Sequence, residues 1–301
     1  MILKWIGIKN LRKCILNTVL HTCKFKACIL LYFLMVGPVL AGQGKLLETA
    51  GLTQIEGSGG GGIVPWATIS GYGSRNETSG SVFNSLVFLD DYRLHSLGGS
   101  LGLFDRVELS FAHQNLNLSK SGGEIRQNIY GIKTRLYGDI IYTLLPQISI
   151  GAQHKTLLDG AVASAVGAKN NSSGTDFYIA ATKVHLGAVG GYNLIWNVAL
   201  RATKANQLGL LGYGSGKNND YQAMMEGSVG VLLSRNWVVG YEYRQKPNNL
   251  IGVKENDWQD FFTTYIPNKR LNLTLAWTRL GDIAGAKNQQ GLYFSATGYL
   301  W

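Results

Sequence analysis

The stretch that decides the fold class is Tyr221–Lys246, which reads YQAMMEGSVGVLLS, then RNW, then VVGYEYRQK. Apolar and polar side chains alternate along both arms. Met225 and Val229 lie on one face of the first arm, whereas Glu226 and Ser228 lie on the other. Alternation with a period of two is typical of a strand that has a different environment on each side. The stretch is therefore predicted to form a β-hairpin with one apolar and one charged face.

The register of this hairpin follows from the same alternation. A two-residue turn would pair inward side chains with outward ones, which the two-residue period forbids. A three-residue loop, Arg235–Trp237, keeps the faces in phase and places Glu226 opposite Lys246 and Ser228 opposite Arg244. Glu226 and Arg244 then lie on a diagonal, within reach of each other. The hairpin thus predicts a cross-strand ion cluster near the outer mouth of a barrel.

Similar segments recur along most of the chain. Segments of about ten residues, tilted by about 40°, cover the roughly 25 Å apolar band of an outer-membrane barrel. Tight and long connections alternate between them, as they do in such barrels. The predicted strands are Ile63–Gly73, Tyr92–Phe104, Val107–Leu118, Ile125–Tyr137, Gln147–Leu157, Thr175–Ala188, Tyr192–Thr203, Tyr221–Ser234, Val238–Lys246, Trp258–Pro267, Leu271–Leu280 and Gln290–Trp301.

The region Ser81–Asp91 is either a further strand or an extension of the second one. The fold is therefore predicted to be all-β: an antiparallel, up-and-down transmembrane β-barrel of about 12 strands, within a range of roughly 10 to 14. An even number of strands places both termini in the periplasm.

The first 41 residues are predicted to be a secretory signal peptide. They contain six basic and no acidic residues, followed by the apolar run Ala27–Leu40 and a small residue, Ala41, at which cleavage is expected. The alternative is an inner-membrane anchor, which the short run and its break at Gly37-Pro38 disfavour. Cleavage near Ala41 would leave a protein of the bacterial outer membrane.

Loss of the leader changes the chemistry of the chain. All three cysteines, Cys14, Cys23 and Cys28, lie in it, so no disulfide or thiol nucleophile is expected in the mature protein. Removing six of the 28 basic residues leaves 22 against 18 acidic ones, which lowers the formal charge from +10 to +4. Because the remaining basic residues are dispersed, nucleic acid is not predicted as a partner.

Residues 42–62 form a Gly-rich lead-in that ends in Gly57–Gly62. It contains no phosphate-loop pattern, so it is interpreted as a flexible segment or one tucked into the lumen. Residues 63–301 are predicted to be the barrel. The last strand ends in an aromatic residue, Trp301, and resembles the signal by which the barrel-assembly machinery recognises its substrates.

No catalytic or metal site is predicted, and the chain is interpreted as a protein that is not an enzyme and has no cofactor. The four histidines outside the leader, His95, His113, His154 and His185, lack metal-ligand spacing. There is no G-x-S-x-G motif. His154 lies on an otherwise apolar face and is interpreted as a residue of the membrane interface.

The candidate site is a lumenal charge cluster of six basic and three acidic side chains. Such buried charges need partners or water. They either pair and plug the barrel, or line a narrow pore whose positive bias favours small anionic solutes. The alternation places on inward faces Glu108, Lys133, Arg135, Lys155, Arg201, Glu226, Glu242, Arg244 and Lys246.

Several stretches together resemble an uncharacterised proteobacterial family, a domain of unknown function found in envelope proteins. They are Gly59–Ala67, Leu103–Ser110, Thr175–Lys183 and Leu200–Gln207, followed by Gly209–Gly212. The resemblance covers essentially the whole mature chain and implies a single-domain envelope protein. It brings no known activity or site residue.

The sequence therefore predicts an outer-membrane barrel, surrounded by lipid, that acts as a narrow channel or transport component for a small solute. The alternative is a structural or adhesive envelope barrel with a plugged lumen. Its function would then lie in the outer loops Leu158–Gly174 and Lys204–Asp220.

Overall fold

The computed structural model describes residues 45–46, 52–119 and 122–300. Within them, twelve antiparallel strands form one closed barrel, which confirms the predicted fold class and strand number. The barrel strands are β1 Thr78–Leu89, β2 Tyr92–Leu103, β3 Val107–Leu118, β4 Glu124–Tyr137, β5 Gln147–Leu157, β6 Ser173–Val189, β7 Tyr192–Thr203, β8 Gln222–Leu232, β9 Trp237–Arg244, β10 Trp258–Asn268, β11 Leu271–Ile283 and β12 Ala286–Tyr299.

Each strand pairs with its neighbours in sequence, and β12 closes the barrel on β1. The closing register runs from Gly291 opposite Leu89 to Tyr299 opposite Ser81. Closure pairs the backbone groups of the first and last strands, as a membrane span requires.

The two ends of the barrel differ. At the terminal end, where β1 begins and β12 ends, most connections are tight. Gly190 and Gly191 have φ values of 56° and 89°, and Phe104 and Asp105 have values of 56° and 52°. Two successive residues with positive φ match the right-handed twist of a hairpin. At the other end, the loop end, β5–β6, β7–β8 and β9–β10 are joined by longer segments.

The two faces of the wall are the reverse of those in a soluble protein. Large apolar side chains face outward and are exposed, while polar and charged side chains face the lumen and are buried. An outward apolar band of this kind is the surface that outer-membrane lipid contacts. It includes Leu97, Leu109, Phe111, Ile132, Ile150, Ile179, Val198, Leu200, Val229, Phe261, Leu275, Trp277, Leu292 and Phe294.

The first predicted strand is wrong. Ile63–Gly73 is not part of the wall but lies inside the barrel, where every one of its residues is buried. The first barrel strand is instead Thr78–Leu89, which covers most of the ambiguous region Ser81–Asp91. The two errors offset each other in the strand number. A short apolar run bounded by Gly and Pro suits a buried segment of any kind, so alternation did not separate a wall strand from a lumenal one.

The predicted register of the β8–β9 hairpin is shifted by two residues. Glu226 lies directly opposite Arg244, and Leu232 lies opposite Val238, so the connection is longer than three residues. The faces remain in phase because the shift is even. The segment Gly281–Gln289, which lies between two predicted strands, is not a long connection, because β11 and β12 both extend into it.

Four short strands accompany the barrel. Leu52–Thr53 pairs with Gly59–Gly60, and Ala168–Asn170 pairs with Tyr213–Ser215. A single helical turn, Ala161–Ala165, lies in the β5–β6 connection. Among the described residues, no helix is long and apolar enough to cross a membrane.

Candidate functional site: a charged lumen and its plug

The lumen is filled by residues 52–73, which we call the plug. Every residue of the plug is buried. The first residues of the plug form a tight hairpin. In it, the Gln54 N–H donates to Ser58 O and the Ile55 N–H donates to Gly62 O, both at 2.9 Å. The chain then returns through Pro65 and Trp66 towards β1. The plug has little regular structure of its own, so its remaining backbone groups need partners on the wall.

Glycines let the plug approach the wall closely. A Cβ atom on Gly61 would lie 1.7 Å from Glu242 Oε1, and one on Gly60 would lie 2.3 Å from Val64 O. Real Cβ contacts are never this short, so a side chain at Gly61 would force the plug and the wall apart, and one at Gly60 would clash within the plug itself. The Gly-rich run therefore has a steric role, which composition alone did not reveal.

Glu108 and Lys133 hold one part of the plug. The Glu108 carboxylate accepts hydrogen bonds from the N–H of Gly59, at 2.9 Å, and of Ser70, at 2.7 Å. Lys133 lies 3.1 Å from Glu108 and donates to the carbonyls of Gly59 and Trp66. One wall ion pair thus satisfies four backbone groups of the plug.

A second wall carboxylate, Glu242, binds the plug without a cation. It accepts a hydrogen bond from the Ile63 N–H at 2.8 Å and one from the Ser228 hydroxyl at 2.6 Å. Asp260 lies directly opposite it on β10. Asp260 Oδ1 is buried and has no hydrogen-bond partner among the described residues. We call Glu242 and Asp260 the carboxylate pair.

The largest cluster, which we call the ion network, joins the plug to five strands, β5 to β9, through three cations and three anions. Glu56 of the plug lies at its centre. It forms an ion pair with Lys155, lies 2.6 Å from Arg244 Nη1 and lies 3.7 Å from Arg201 Nη2. The six members are Glu56, Lys155, Asp176, Arg201, Glu226 and Arg244.

The other anions of the ion network belong to the wall. Asp176 lies 2.7 Å from Lys155 and 3.4 Å from Arg201. Glu226 lies 2.5 Å from Arg201 Nε and 3.2 Å from Arg244 Nε. The wall therefore supplies three positive and two negative charges, and only the plug carboxylate makes the network neutral.

The electrostatics of Glu56 follow from this arrangement. Burial acts to raise the pKa of its carboxyl, but the nearby charges of Arg244, Lys155 and Arg201 outweigh burial and hold the pKa well below its ordinary value. Glu56 is therefore ionised in the lumen, and its charge is part of what keeps the plug docked.

At the terminal end, Arg135 is separate from this network. Its guanidinium forms an ion pair with Asp105 and donates to Gly138 O at 2.7 Å. Lys45 lies 2.8 Å from Asp105 and also donates to the carbonyls of Ile69 and Gly71, at 3.0 and 3.2 Å. This group fixes the far end of the plug.

At the loop end, residues 205–215 fold into the barrel mouth and are all buried; we call them the cap. Lys246 donates to Gln207 Oε1 at 2.7 Å, and the Gln207 N–H donates to Glu255 at 2.6 Å. Gln207 and Leu208 have φ values of 43° and 61°, a left-handed backbone that costs energy in residues other than glycine.

Burial shifts the pKa of both ionisable groups beside the cap. It raises the pKa of Glu255 to about 7, against the attraction of Lys246. It also lowers the pKa of Lys246 to about 7, against the attraction of Glu255. The loop Lys204–Asp220 is thus partly a lid over the lumen rather than an entirely external loop.

The structure separates the nine predicted residues into groups. Lys155, Arg201, Glu226 and Arg244 meet in the ion network, whereas Glu108 pairs with Lys133. Glu242 binds the plug from the carboxylate pair. Arg135 lies at the terminal end and Lys246 beneath the cap, so neither joins the ion network.

The predicted positive bias of the lumen refers to side chains of the wall, and the plug and the barrel ends add further buried charges. Among the described residues, seven basic and eight acidic side chains are buried. Asp176 and Asp260 were missed although alternation with the outward Phe177 and Phe261 places them on inward faces. Glu56 carried no such signal, because it lies in a Gly-rich segment without a strand pattern.

Little free space remains in the lumen. A cavity of about 20 Å³ lies among Leu52, Trp66 and Phe262, and one of about 10 Å³ lies between the ion network and the cap. Each has room for about one water molecule. Within the described part of the chain, no group of three or more His, Cys, Asp or Glu side chains is arranged to hold a metal ion.

The chain is similar to solved outer-membrane barrels. The KdgM porin shares 10% identity and a TM-score of 0.46, with 72% of this chain and 98% of the porin covered. The NanC porin shares 10% identity and a TM-score of 0.47, with coverages of 74% and 100%. At these identities the likeness concerns the fold alone. No curated protein matches the chain.

The prediction that the chain is not an enzyme is corrected by a third likeness. Outer membrane phospholipase A from Escherichia coli shares 12% identity and a TM-score of 0.38, with 74% of this chain and 92% of the phospholipase covered. A protein named as a phospholipase is therefore among the barrels to which this chain is similar, and the enzyme status of the chain is not established. The likeness does not establish a hydrolytic activity for this chain either.

The predicted family resemblance is confirmed. Residues 49–297 match a family model described as "Protein of unknown function (DUF3034)". That match spans the plug and the barrel strands, and it ends within β12 at residue 297. The chain belongs to this family of uncharacterised proteins.

Proposed function

We propose that this protein is an outer-membrane channel for small solutes that the plug holds closed. The observation that carries the proposal is the polar nature of the contact between plug and wall. The plug is held by Glu108, Lys133, Glu242 and the ion network, and much of the contact is between charges and backbone groups.

Polar contacts of this kind suit a removable plug. A permanently filled lumen gains at least as much stability from well-packed apolar side chains as from buried ion pairs. Charged side chains, in contrast, are readily solvated when a segment leaves. A wall stripped of the plug would be a hydrophilic conduit, and ionisable residues inside a membrane span commonly mark a solute pathway.

Two further features complete this function. Cleavage near Ala41 and assembly through the strand ending in Trp301 both fall on residues outside the described ranges, and we infer them from the sequence. Amino-terminal sequencing of the exported protein tests the first, and deletion of Trp301 followed by a heat-modifiability gel tests the second. The long connections of the loop end would then face the cell exterior.

The channel is tested by single-channel recording of Glu56→Gln, an isosteric change that removes the charge completing the ion network. Wild-type protein is expected to be closed most of the time, and Glu56→Gln to open far more often. Release of the plug is measured separately through Val64→Cys, since the mature chain has no native cysteine and Val64 is fully buried. Lys254→Cys, in an outer connection, is the labelling control.

A different outcome would favour the structural barrel. If Val64→Cys becomes reactive in the Glu56→Gln background and no current appears, the open lumen does not conduct and the channel is wrong. The alternative, a structural barrel with functional outer loops, would then stand.

A further inference from the structure

The carboxylate of Glu56, a plug residue, lies in a site that basic side chains of the wall form around it. Lys155, Arg201 and Arg244 surround Glu56, and all four side chains are at most 2% exposed. The wall anions neutralise two of these three cations. The third positive charge is neutralised by Glu56 of the plug, and not by a residue of the wall.

Each of the three cations also pairs with a wall anion, although Arg244 additionally donates to Ile63 O of the plug at 2.9 Å. Arg201 donates to Gln153 Oε1 at 2.7 Å and pairs with both Asp176 and Glu226. Lys155 pairs with Asp176 at 2.7 Å, and Arg244 pairs with Glu226 at 3.2 Å. Departure of Glu56 would leave these side chains in place, and a preorganised site binds a ligand at lower entropic cost.

The geometry suits a carboxylate. One Glu56 oxygen faces Arg244 Nη1 at 2.6 Å and Arg201 Nη2 at 3.7 Å, while the other faces Lys155. Planar guanidinium groups are the side chains best matched to a planar anion of this kind. The neighbouring wall carboxylates exclude a second anionic group, so a singly charged ligand is favoured.

The site also lies where a solute would arrive from the loop end. The cavity of about 10 Å³ between the ion network and the cap is lined by Arg201, Arg244 and Asp176 from below and by Ala205 and Leu208 from above. Movement of the cap would therefore expose the wall cations Arg201 and Arg244 before the plug.

We propose that Lys155, Arg201 and Arg244 form a lumenal binding site for a small carboxylate anion, which Glu56 occupies as an internal ligand in the closed barrel. A solute that carries a carboxylate competes with Glu56 for this site and releases the plug. This inference rests on the proposed channel function and names the chemical class of solute that opens it.

The test uses propionate, which reproduces the end of a glutamate side chain, and its neutral isostere propionamide. Saturating propionate is expected to raise the labelling rate of Val64→Cys about tenfold, on the order of the ratio of ligand concentration to its Kd. Propionamide and equal concentrations of chloride or phosphate are expected to leave that rate unchanged. In recordings of wild-type protein, propionate should likewise raise the opening frequency, and propionamide, chloride and phosphate should not.

Variants locate the response. In the Arg244→Gln variant, the labelling rate of Val64→Cys is expected to be the same with and without propionate. Lys183→Gln, which removes a buried cation bonded to carbonyls at the terminal end, is expected to retain the propionate effect. Because Arg244→Gln also loosens the plug, propionate is additionally titrated against the open Glu56→Gln channel, where binding at the vacated site should reduce the current.

The outcomes separate the two proposals. Current through Glu56→Gln that propionate and propionamide affect equally overturns the carboxylate site and leaves the channel standing. A released plug with no current overturns the channel, whereas propionate-dependent labelling of Val64→Cys would still support the binding site. An equal effect of phosphate would show a general anion site and overturn the assignment to carboxylates.

Discussion

Glu56 and Glu242 are buried glutamates in the same lumen, but their surroundings are opposite. Glu56 belongs to the plug and faces three wall cations. Glu242 belongs to the wall, lies opposite Asp260 and receives hydrogen bonds from the Ile63 backbone and Ser228. The first carboxylate removes an unbalanced positive charge, whereas the second adds to an unbalanced negative one.

The difference indicates how the plug is held. Removal of one partner from a buried ion cluster costs about 3–5 kcal/mol, because the remaining charge stays in a medium that solvates it poorly. Two adjacent carboxylates without a cation repel each other instead. The ion network therefore stabilises the docked plug, whereas the repulsion within the carboxylate pair opposes docking. Removing the charge of Glu56 should destabilise the docked plug, and removing the charge of Glu242 should stabilise it.

The largest effect is expected from charge reversal at Glu56. Glu56→Lys would place a fourth cation against two wall anions, so docking should weaken by more than the roughly 3–5 kcal/mol of simple charge removal. Since 1.4 kcal/mol is a factor of ten, the equilibrium constant for docking should fall by about a thousandfold or more. Labelling of Val64→Cys measures the release, and heat-modifiable migration checks that the barrel remains folded. A plug that stays protected would show that the ion network does not hold it.

Gly61→Ala should release the plug without altering any charge. Its Cβ would lie 1.7 Å from Glu242 Oε1, so the plug or the wall carboxylate must move. Overpacking of a filled interior costs typically about 1–3 kcal/mol. Gly252→Ala is the matched control, because nothing lies within 4 Å of a Cβ at that position. Equal labelling rates of Val64→Cys in the two variants would contradict the close approach of plug and wall.

The opposite sign is expected for Glu242→Gln. The amide oxygen can still accept the Ile63 N–H, and the amide nitrogen can donate to the Asp260 carboxylate beside it. The change removes the repulsion within the carboxylate pair and should stabilise the docked plug by about 1 kcal/mol at neutral pH. Labelling of Val64→Cys should slow by several-fold. A faster rate would mean that the charge of Glu242 itself holds the plug.

The sequence revealed the wall of this barrel better than its contents. Alternation found the inward faces that carry Arg201, Glu226 and Arg244, because a strand between lipid and lumen has a period of two whatever fills the lumen. Alternation gave no signal for Glu56, whose position depends on contacts between residues 99 to 188 positions apart in the chain. Ile63–Gly73 was mistaken for a strand for a related reason: a buried plug and a buried strand are both short apolar runs.

The smallest expected effect is the response to pH over the ordinary range. The pKa of Glu56 is well below its usual value in the docked plug, despite the opposing effect of burial, because of Arg244, Lys155 and Arg201. A carboxyl whose pKa is lower when docked stabilises docking fully above its released pKa of about 4.3, and the stabilisation is lost as pH falls through the lower, docked value. The contribution of Glu56, measured as the difference in opening between wild type and Glu56→Gln, should therefore stay constant from about pH 8 to 5.

The cap provides the contrast within the same recordings. The pKa of Glu255 is raised to about 7 by burial, against the attraction of Lys246, so its contribution to the folded cap is complete below about 4.3 and is lost as pH rises through about 7. A change in opening near neutral pH that disappears in Glu255→Gln would belong to the cap. A change near neutral pH that persists in Glu255→Gln and disappears in Glu56→Gln would contradict the strong coupling of Glu56 to its three cations.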